Sequence, residues 1–232
     1  MNKIDIIQNI IDKTNARTYL EIGVHKGHTF LRIKARHKIA VDPYYLISAR
    51  KKISWAFKNP GIFSAKYYRL TSDEFFTSKR FPQGLDVVFV DGLHSFEQAL
   101  KDVNNSLFHL NENGVIVMDD CNPPNEAASY PAQSLDHVAS LNLPGWTGEW
   151  CGDVWKAVCH LRSFKKDLNV FVLDCDHGIG IITRGKPDRL LNFTQEDVNK
   201  LAYHDLANQR NELLNLKYID FLNHFLRNGV HF

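Results

Sequence analysis

Five short apolar runs recur through the first half of the chain: "TYLEIG" (18–23), "KIAVD" (38–42), "AKYYRL" (65–70), "LDVVFVD" (85–91) and "GVIVMD" (114–119). Segments of helical period separate them, near 27–36, 45–58, 72–79 and 96–110. Continuous apolar strands joined by helices require a parallel sheet covered on both faces. Two later runs, "NVFVLD" (169–174) and "IGIITRG" (179–185), are only a few residues apart. No parallel crossover fits in so short a link, so these two should form an antiparallel hairpin. The expected fold is α/β: a Rossmann-like seven-stranded sheet with five parallel strands and a terminal antiparallel hairpin, helices on both faces.

The remaining segments set the organisation. In "MNKIDIIQNIIDKTNA" the isoleucines 4, 7 and 11 follow helical spacing, which predicts an amphipathic helix over 1–15. The stretch has no uninterrupted apolar core of the kind a signal peptide carries. Residues 121–156 hold Pro123, Pro124, Pro131, Pro144 and Gly145 and read as a long acceptor-side loop with one short helix. A helix near 152–164 precedes the hairpin. The main domain is expected to span 1–193, with a helical extension over 194–232. Leu214, Tyr218, Phe221, Leu222 and Phe225 form a stripe on that extension, suited to cover the sheet or to pair two subunits as a homodimer.

Composition narrows the partners. A formal charge of +2 with scattered Lys and Arg gives no nucleic-acid footprint. No apolar run is long enough to span a membrane. The four cysteines (Cys121, Cys151, Cys159, Cys175) form no C-x-x-C pair, so neither a zinc site nor a disulfide framework is expected, and a cytoplasmic setting fits.

"YLEIGVHKGHTF" places Gly23 and Gly27 between the first strand and the first expected helix. Such glycines permit a tight turn and close approach of a ligand. The spacing G-x-x-x-G is not the G-x-G-x-x-G of a dinucleotide site, so no pyrophosphate is suggested. Asp42 closes the second strand twenty-one residues after Glu21, where an acid can grip two ribose hydroxyls. It can equally cap the turn before Pro43. Together the loop and the acid favour a nucleoside ligand.

With those residues in view, 18–120 resembles the core of class I S-adenosylmethionine-dependent methyltransferases. "EIGVHKGHT" is similar to their first motif and "VDP" to the end of their second strand. The resemblance implies S-adenosylmethionine as cofactor, held through Glu21, Gly23, Gly27, Asp42 and Asp91. Ser72 or Asp73 would meet the adenine edge, although "TSDEFF" also starts a helix with a Ser or Asp cap.

Acids close two further runs: Asp91, and the pair Asp119 and Asp120. If strands four and five are neighbours, roughly 4.8 Å apart, these carboxylates share a small volume. They repel there unless a cation or a proton intervenes, and hard oxygen ligands suit Mg²⁺, Mn²⁺ or Ca²⁺. The alternative is that they cap turns. The set resembles metal-dependent O-methyltransferases of the catechol and macrolide-sugar types. That resemblance implies Asp91, Asp119 and Asp120 as metal ligands, and His94 of "DGLH" as catalytic base, where the catechol type has a lysine. "SFEQ" (95–98) has the form of a capping box, which puts His94 just outside a helix's positive end and disfavours imidazolium.

"PGWTGEWCGDVWKAV" (144–158) interleaves Trp146, Trp150 and Trp155 with Glu149, Asp153 and Lys156. These could line a pocket for a small-molecule or sugar acceptor, or simply pack a helix onto the sheet. The expected activity is O-methylation of a hydroxyl. The competing readings are a catalytically inactive nucleoside-binding regulatory subunit and a metal-independent methyltransferase.

Overall fold

The structure, a computed structural model, describes residues 1–78 and 84–228. The chain divides into two units, one of residues 1–92 with 102–117, the other of residues 93–101 with 118 onward.

The first unit opens with α1 (Lys3–Thr14), capped by Asn2 with Asp5 reciprocating. Its Ile6, Ile7, Ile10 and Ile11 are buried, each burial stabilising by about 1.5–3 kcal/mol. There follow β1 (Thr18–Ile22), β2 (His37–Val41), α2 (Ala49–Ala56), β3 (Lys66–Tyr68), α3 (Ser72–Ser78), β4 (Leu85–Val90), α4 (Phe96–His109) and β5 (Leu110–Met118). The residues of α4 from Asp102 onward belong to this unit. Strand order is β3-β2-β1-β4-β5. β1 pairs in parallel with β2 and β4, and β2 with β3. All five residues of β1 are buried, as a central parallel strand requires. The chain reaches the edge at β3 and returns beside β1 at β4. The order therefore reverses between β1 and β4, and ligands of such sheets bind beyond the strands' carboxyl ends at that point.

One expected element is absent. Residues 27–36 form a series of turns, not a helix. The carbonyls a helix would use internally are taken by side chains. Lys38 Nζ donates to the carbonyls of Phe30 and Ile33, and Asn59 Nδ2 to those of Leu31 (3.0 Å) and Ile33 (2.7 Å). The cap of α3 also differs from expectation. Thr71 and Glu74 exchange hydrogen bonds there, leaving Ser72 as the first helical residue. The last residue of the expected 72–79 helix lies outside the described residues.

The second unit contains α5 (Leu135–Ser140), α6 (Trp155–Phe164), β6 (Leu168–Leu173), β7 (Ile179–Arg184), α7 (Gln195–Lys200), α8 (Tyr203–Leu214), β8 (Leu216–Lys217) and α9 (Asp220–Asn228). Here the order is β7-β6-β8, with β6 and β7 antiparallel as the hairpin requires. The two-residue β8, parallel to β6, raises the strand count from the expected seven to eight. The C-terminal stripe covers this sheet except at Tyr218, which is exposed. Phe221 and Phe225 pack edge-on against Phe171 of β6 at 5.1 and 4.9 Å, and Leu222 is fully buried. All four cysteines are free. Among the described residues no helix is long and apolar enough to cross a membrane.

Glu21 and Lys38 are ionisable side chains buried inside the first unit. Burial pushes the Glu21 carboxyl up to about 8, and Tyr19 donates to it at 2.5 Å. Burial likewise pushes the Lys38 ammonium down to about 7. A raised carboxyl favours the fold below its unfolded value near 4.5, and that benefit is lost as pH rises through 8. The Lys38 contribution is lost as pH falls from 10.5 through 7. Between about pH 5 and 7 Glu21 lowers stability as pH rises, while the imidazoles of His28, His109 and His160, each held below its ordinary value by burial, act in the opposite sense. Removing the Glu21 contribution should therefore shift the slope upward: over that window the urea midpoint of Glu21→Gln should fall less, or rise more, with pH than that of the wild type.

Candidate functional site

In the first unit the candidate residues cluster at the carboxyl ends of β1, β2 and β4. Gly23 leaves β1 with φ +87°. A Cβ there would lie 1.7 Å from the Asp91 carbonyl oxygen, so only glycine lets the ends of β1 and β4 close together. Gly27, at φ +70°, packs against Ile47. Between them His25 adopts φ +42° and its N–H donates to Asp42 Oδ2 at 2.6 Å. The Tyr44 N–H donates to Asp42 Oδ1, also at 2.6 Å. Asp42 is thus aimed and fixed by two backbone groups. An ionised carboxylate accepts about four hydrogen bonds, so capacity remains for two ribose hydroxyls. These residues fit a nucleoside.

The other candidates in this unit are placed differently. Glu21 is 1% exposed, with its carboxyl turned to Tyr19. Ser72 is buried at the start of α3 and Asp73 follows it, half-buried. Asp91 Oδ2 lies 3.3 Å from the Lys3 ammonium of α1, a partner the sequence did not announce.

In the second unit the centre is Asp120. It has φ +61°, unusual outside glycine, and is 6% exposed. The backbone here is locked to the β6–β7 turn. The N–H of Cys121 donates to the Gly178 carbonyl (2.9 Å) and that of Asn122 to His177 (2.6 Å). Gly178 permits this approach, since a Cβ on it would lie 2.2 Å from Asn122 Cβ. Arg210 secures the same stretch by donating to the Pro123 carbonyl at 2.9 Å.

Two imidazoles converge on Asp120. His94 Nε2 lies 3.2 Å from Oδ2, and His177 Nδ1 lies 4.0 Å from Oδ1. Their outer nitrogens are engaged elsewhere. His94 Nδ1 is 2.8 Å from the Trp150 carbonyl, and His177 Nε2 is 3.1 Å from Glu149. A carbonyl only accepts, so Nδ1 of His94 carries the proton. Nε2 of a neutral His94 would then face an ionised carboxylate with no hydrogen between them. That contact needs positive charge, a proton or a cation. The ring of His94 also stacks obliquely on Trp150, with centroids 4.9 Å apart.

Cys151 adds a third ligand type. It is fully buried and its thiol donates to Asp120; burial pushes the thiol far above its ordinary range. Ligand atoms of Asp120, Cys151 and His177 all lie within 4.8 Å of one another. Asp119, 5% exposed, is not among that group. The expected capping of α4 holds in part. Ser95 Oγ accepts from the Gln98 N–H at 3.4 Å, but Asp153 reaches in to accept from the Phe96 N–H at 2.7 Å. Trp155 is core, at 1% exposure. Trp146 and Trp150 are half-buried, and the Trp150 indole donates to the Tyr130 carbonyl. Cys151, His177 and Glu149 were missed as a site because their spacings, 26 residues and 2, match no ligand signature.

Residues 20–121 match the family model described as "Methyltransferase domain". The structural neighbours are methyltransferases, and the chain shares their Rossmann-like α/β fold. A methyltransferase of Podospora anserina, PaMTH1, solved with S-adenosylhomocysteine, is 21% identical with a TM-score of 0.52, covering 78% of this chain and 76% of that one. The O-methyltransferase TomG of Streptomyces achromogenes, involved in tomaymycin synthesis and solved with S-adenosylmethionine, is 12% identical with a TM-score of 0.55, covering 79% of each chain. An O-methyltransferase of Bacillus cereus, solved with S-adenosylhomocysteine, is 12% identical with a TM-score of 0.51, covering 78% of each. In sequence, uncharacterized protein R132 of Acanthamoeba polyphaga mimivirus is 28% identical over 126 residues. The match spans 50% of this chain and 57% of that relative.

Gly152 fixes the loop against His94, because its Cβ would fall 1.8 Å from the His94 carbonyl oxygen. Gly152→Ala also meets φ +60°. It should lower stability by more than about 2 kcal/mol in denaturant titrations, whereas Gly148→Ala, with open space around it, should cost no more than about 1 kcal/mol, set by its positive φ.

Proposed function

We propose that the chain is an S-adenosylmethionine-dependent O-methyltransferase acting on a hydroxyl of a small molecule or sugar. The observation that carries this is His94, held by the Trp150 carbonyl and Asp120 in a chain that contains a methyltransferase domain. The O-methyltransferase neighbours support transfer to oxygen, and the half-exposed Trp146 and Trp150 support an acceptor with apolar faces.

Asp42, fixed by His25 and Tyr44, binds the ribose. The loop Gly23–Gly27 gives the rest of the cofactor backbone to lie against. S-adenosylmethionine supplies a methyl group whose bond to sulfur breaks with the electron pair remaining on sulfur. His94 takes the acceptor's hydroxyl proton at Nε2, its Nδ1–H anchored on Trp150, and Asp120 stabilises the imidazolium that results. A divalent cation such as Mg²⁺ or Mn²⁺ held by Asp119 and Asp120 would supply the positive charge that leaves Nε2 bare beforehand. Hard carboxylate donors fit such a cation.

A second reading has an observation of its own. Lys3 already neutralises Asp91 at 3.3 Å, which favours a methyltransferase that holds no metal at Asp91. Chelator separates the two, since only the first reading loses turnover in its presence.

Transfer of labelled methyl from S-adenosylmethionine to a panel of hydroxylated acceptors tests the proposal. Product should form with wild type and fall by about 10²-fold or more in His94→Ala. Near-normal turnover in that variant would remove His94 from the mechanism. Cofactor binding with no product from any acceptor would favour the regulatory-subunit reading.

A further inference from the structure

The arrangement around Asp120 extends beyond the carboxylates assigned to a hard cation. We infer that Asp120, Cys151 and His177 form a site for a thiophilic divalent cation of the zinc type, with Glu149 orienting the histidine. Metal binding here can be read without any methyl transfer. It shares Asp120 with the cation proposed above and none of the other ligands.

The three residues supply oxygen, sulfur and nitrogen, the donor set that zinc accepts and magnesium does not. Their ligand atoms already lie within 4.8 Å of one another. Around a tetrahedral zinc, with bonds of about 2.0–2.3 Å, ligand atoms sit roughly 3.3–3.8 Å apart. The contraction needed is about 1 Å, and His177, one-third exposed on the β6–β7 turn, has freedom to supply it.

The tautomer is already set. Glu149, 3.1 Å from Nε2 of His177, holds the proton on that nitrogen and leaves Nδ1 bare toward Asp120 and Cys151. A carboxylate behind the outer nitrogen is the usual support of a metal-binding histidine. Cys151 fits the same picture. An ordinary buried cysteine behaves as a small apolar group, yet this one donates its S–H to a carboxylate with 6% exposure. A cation would take the place of that proton, which passes to solvent as the thiolate forms. Three protein ligands leave one coordination position open.

Co²⁺ added to the purified full-length chain reads the site directly, because a thiolate ligand gives a sulfur-to-cobalt charge-transfer band. The band should appear in wild type, vanish in Cys151→Ser, and be displaced by Zn²⁺ but not by excess Mg²⁺. His177→Ala should weaken Co²⁺ binding by about tenfold or more, and Asp91→Asn should leave the band unchanged. Absence of the band, its survival in Cys151→Ser, or its displacement by Mg²⁺ would overturn the assignment. If circular dichroism shows Cys151→Ser to be unfolded, His177→Ala decides, and unchanged affinity there counts against the site.

Discussion

A buried carboxylate that must be answered by positive charge governs the second unit. Asp120 sits at the end of β5 in a left-handed conformation, with 6% of its surface exposed. An ionised group so placed is costly unless paired. The Cys151 thiol donates to it, His94 Nε2 faces one oxygen at 3.2 Å, and the bare Nδ1 of His177 stands 4.0 Å from the other, where a cation would complete the pairing. Glycines make the arrangement possible. Gly152 lets the loop lie against His94, and Gly178 brings the β6–β7 turn against Asn122. Loop, turn and strand end are therefore one device.

The first unit solves a different problem, that of bringing the ends of β1, β2 and β4 close while leaving polar capacity for a ligand. Gly23 allows the Asp91 carbonyl to approach. His25 and Tyr44 spend their N–H groups on aiming Asp42, not on satisfying one another. Glu21, by contrast, faces inward to Tyr19, so its place in the motif reflects the buried face of β1.

Most of the sheet was legible because strand burial is written in residue order: each of the seven expected runs corresponds to a strand within a few residues. The helix expected over 27–36 failed because the competing donors, Lys38 and Asn59, lie outside the segment and are invisible to a local pattern. The two-residue β8 is too short to carry any period. At the site, Asp42, His94 and Asp120 were readable because each follows a strand. Cys151, His177, Glu149 and the Trp150 carbonyl were not, since they meet only through tertiary contacts, and the matched domain ends at residue 121 before any of these four. The absence of C-x-x-C spacing argued against zinc ligands, yet spacing rules describe sites built from paired local ligands. Three residues 31 and 26 positions apart escape them.

The central claim is that this chain binds S-adenosylmethionine through the carboxyl end of its second strand. Calorimetric titration of S-adenosylmethionine into the full-length chain and into Asp42→Ala tests it most directly. The account predicts measurable one-to-one binding, weakened by about tenfold or more when the charged hydrogen bonds of Asp42 are removed. No heat of binding in the wild type, or equal affinity in Asp42→Ala, would contradict it.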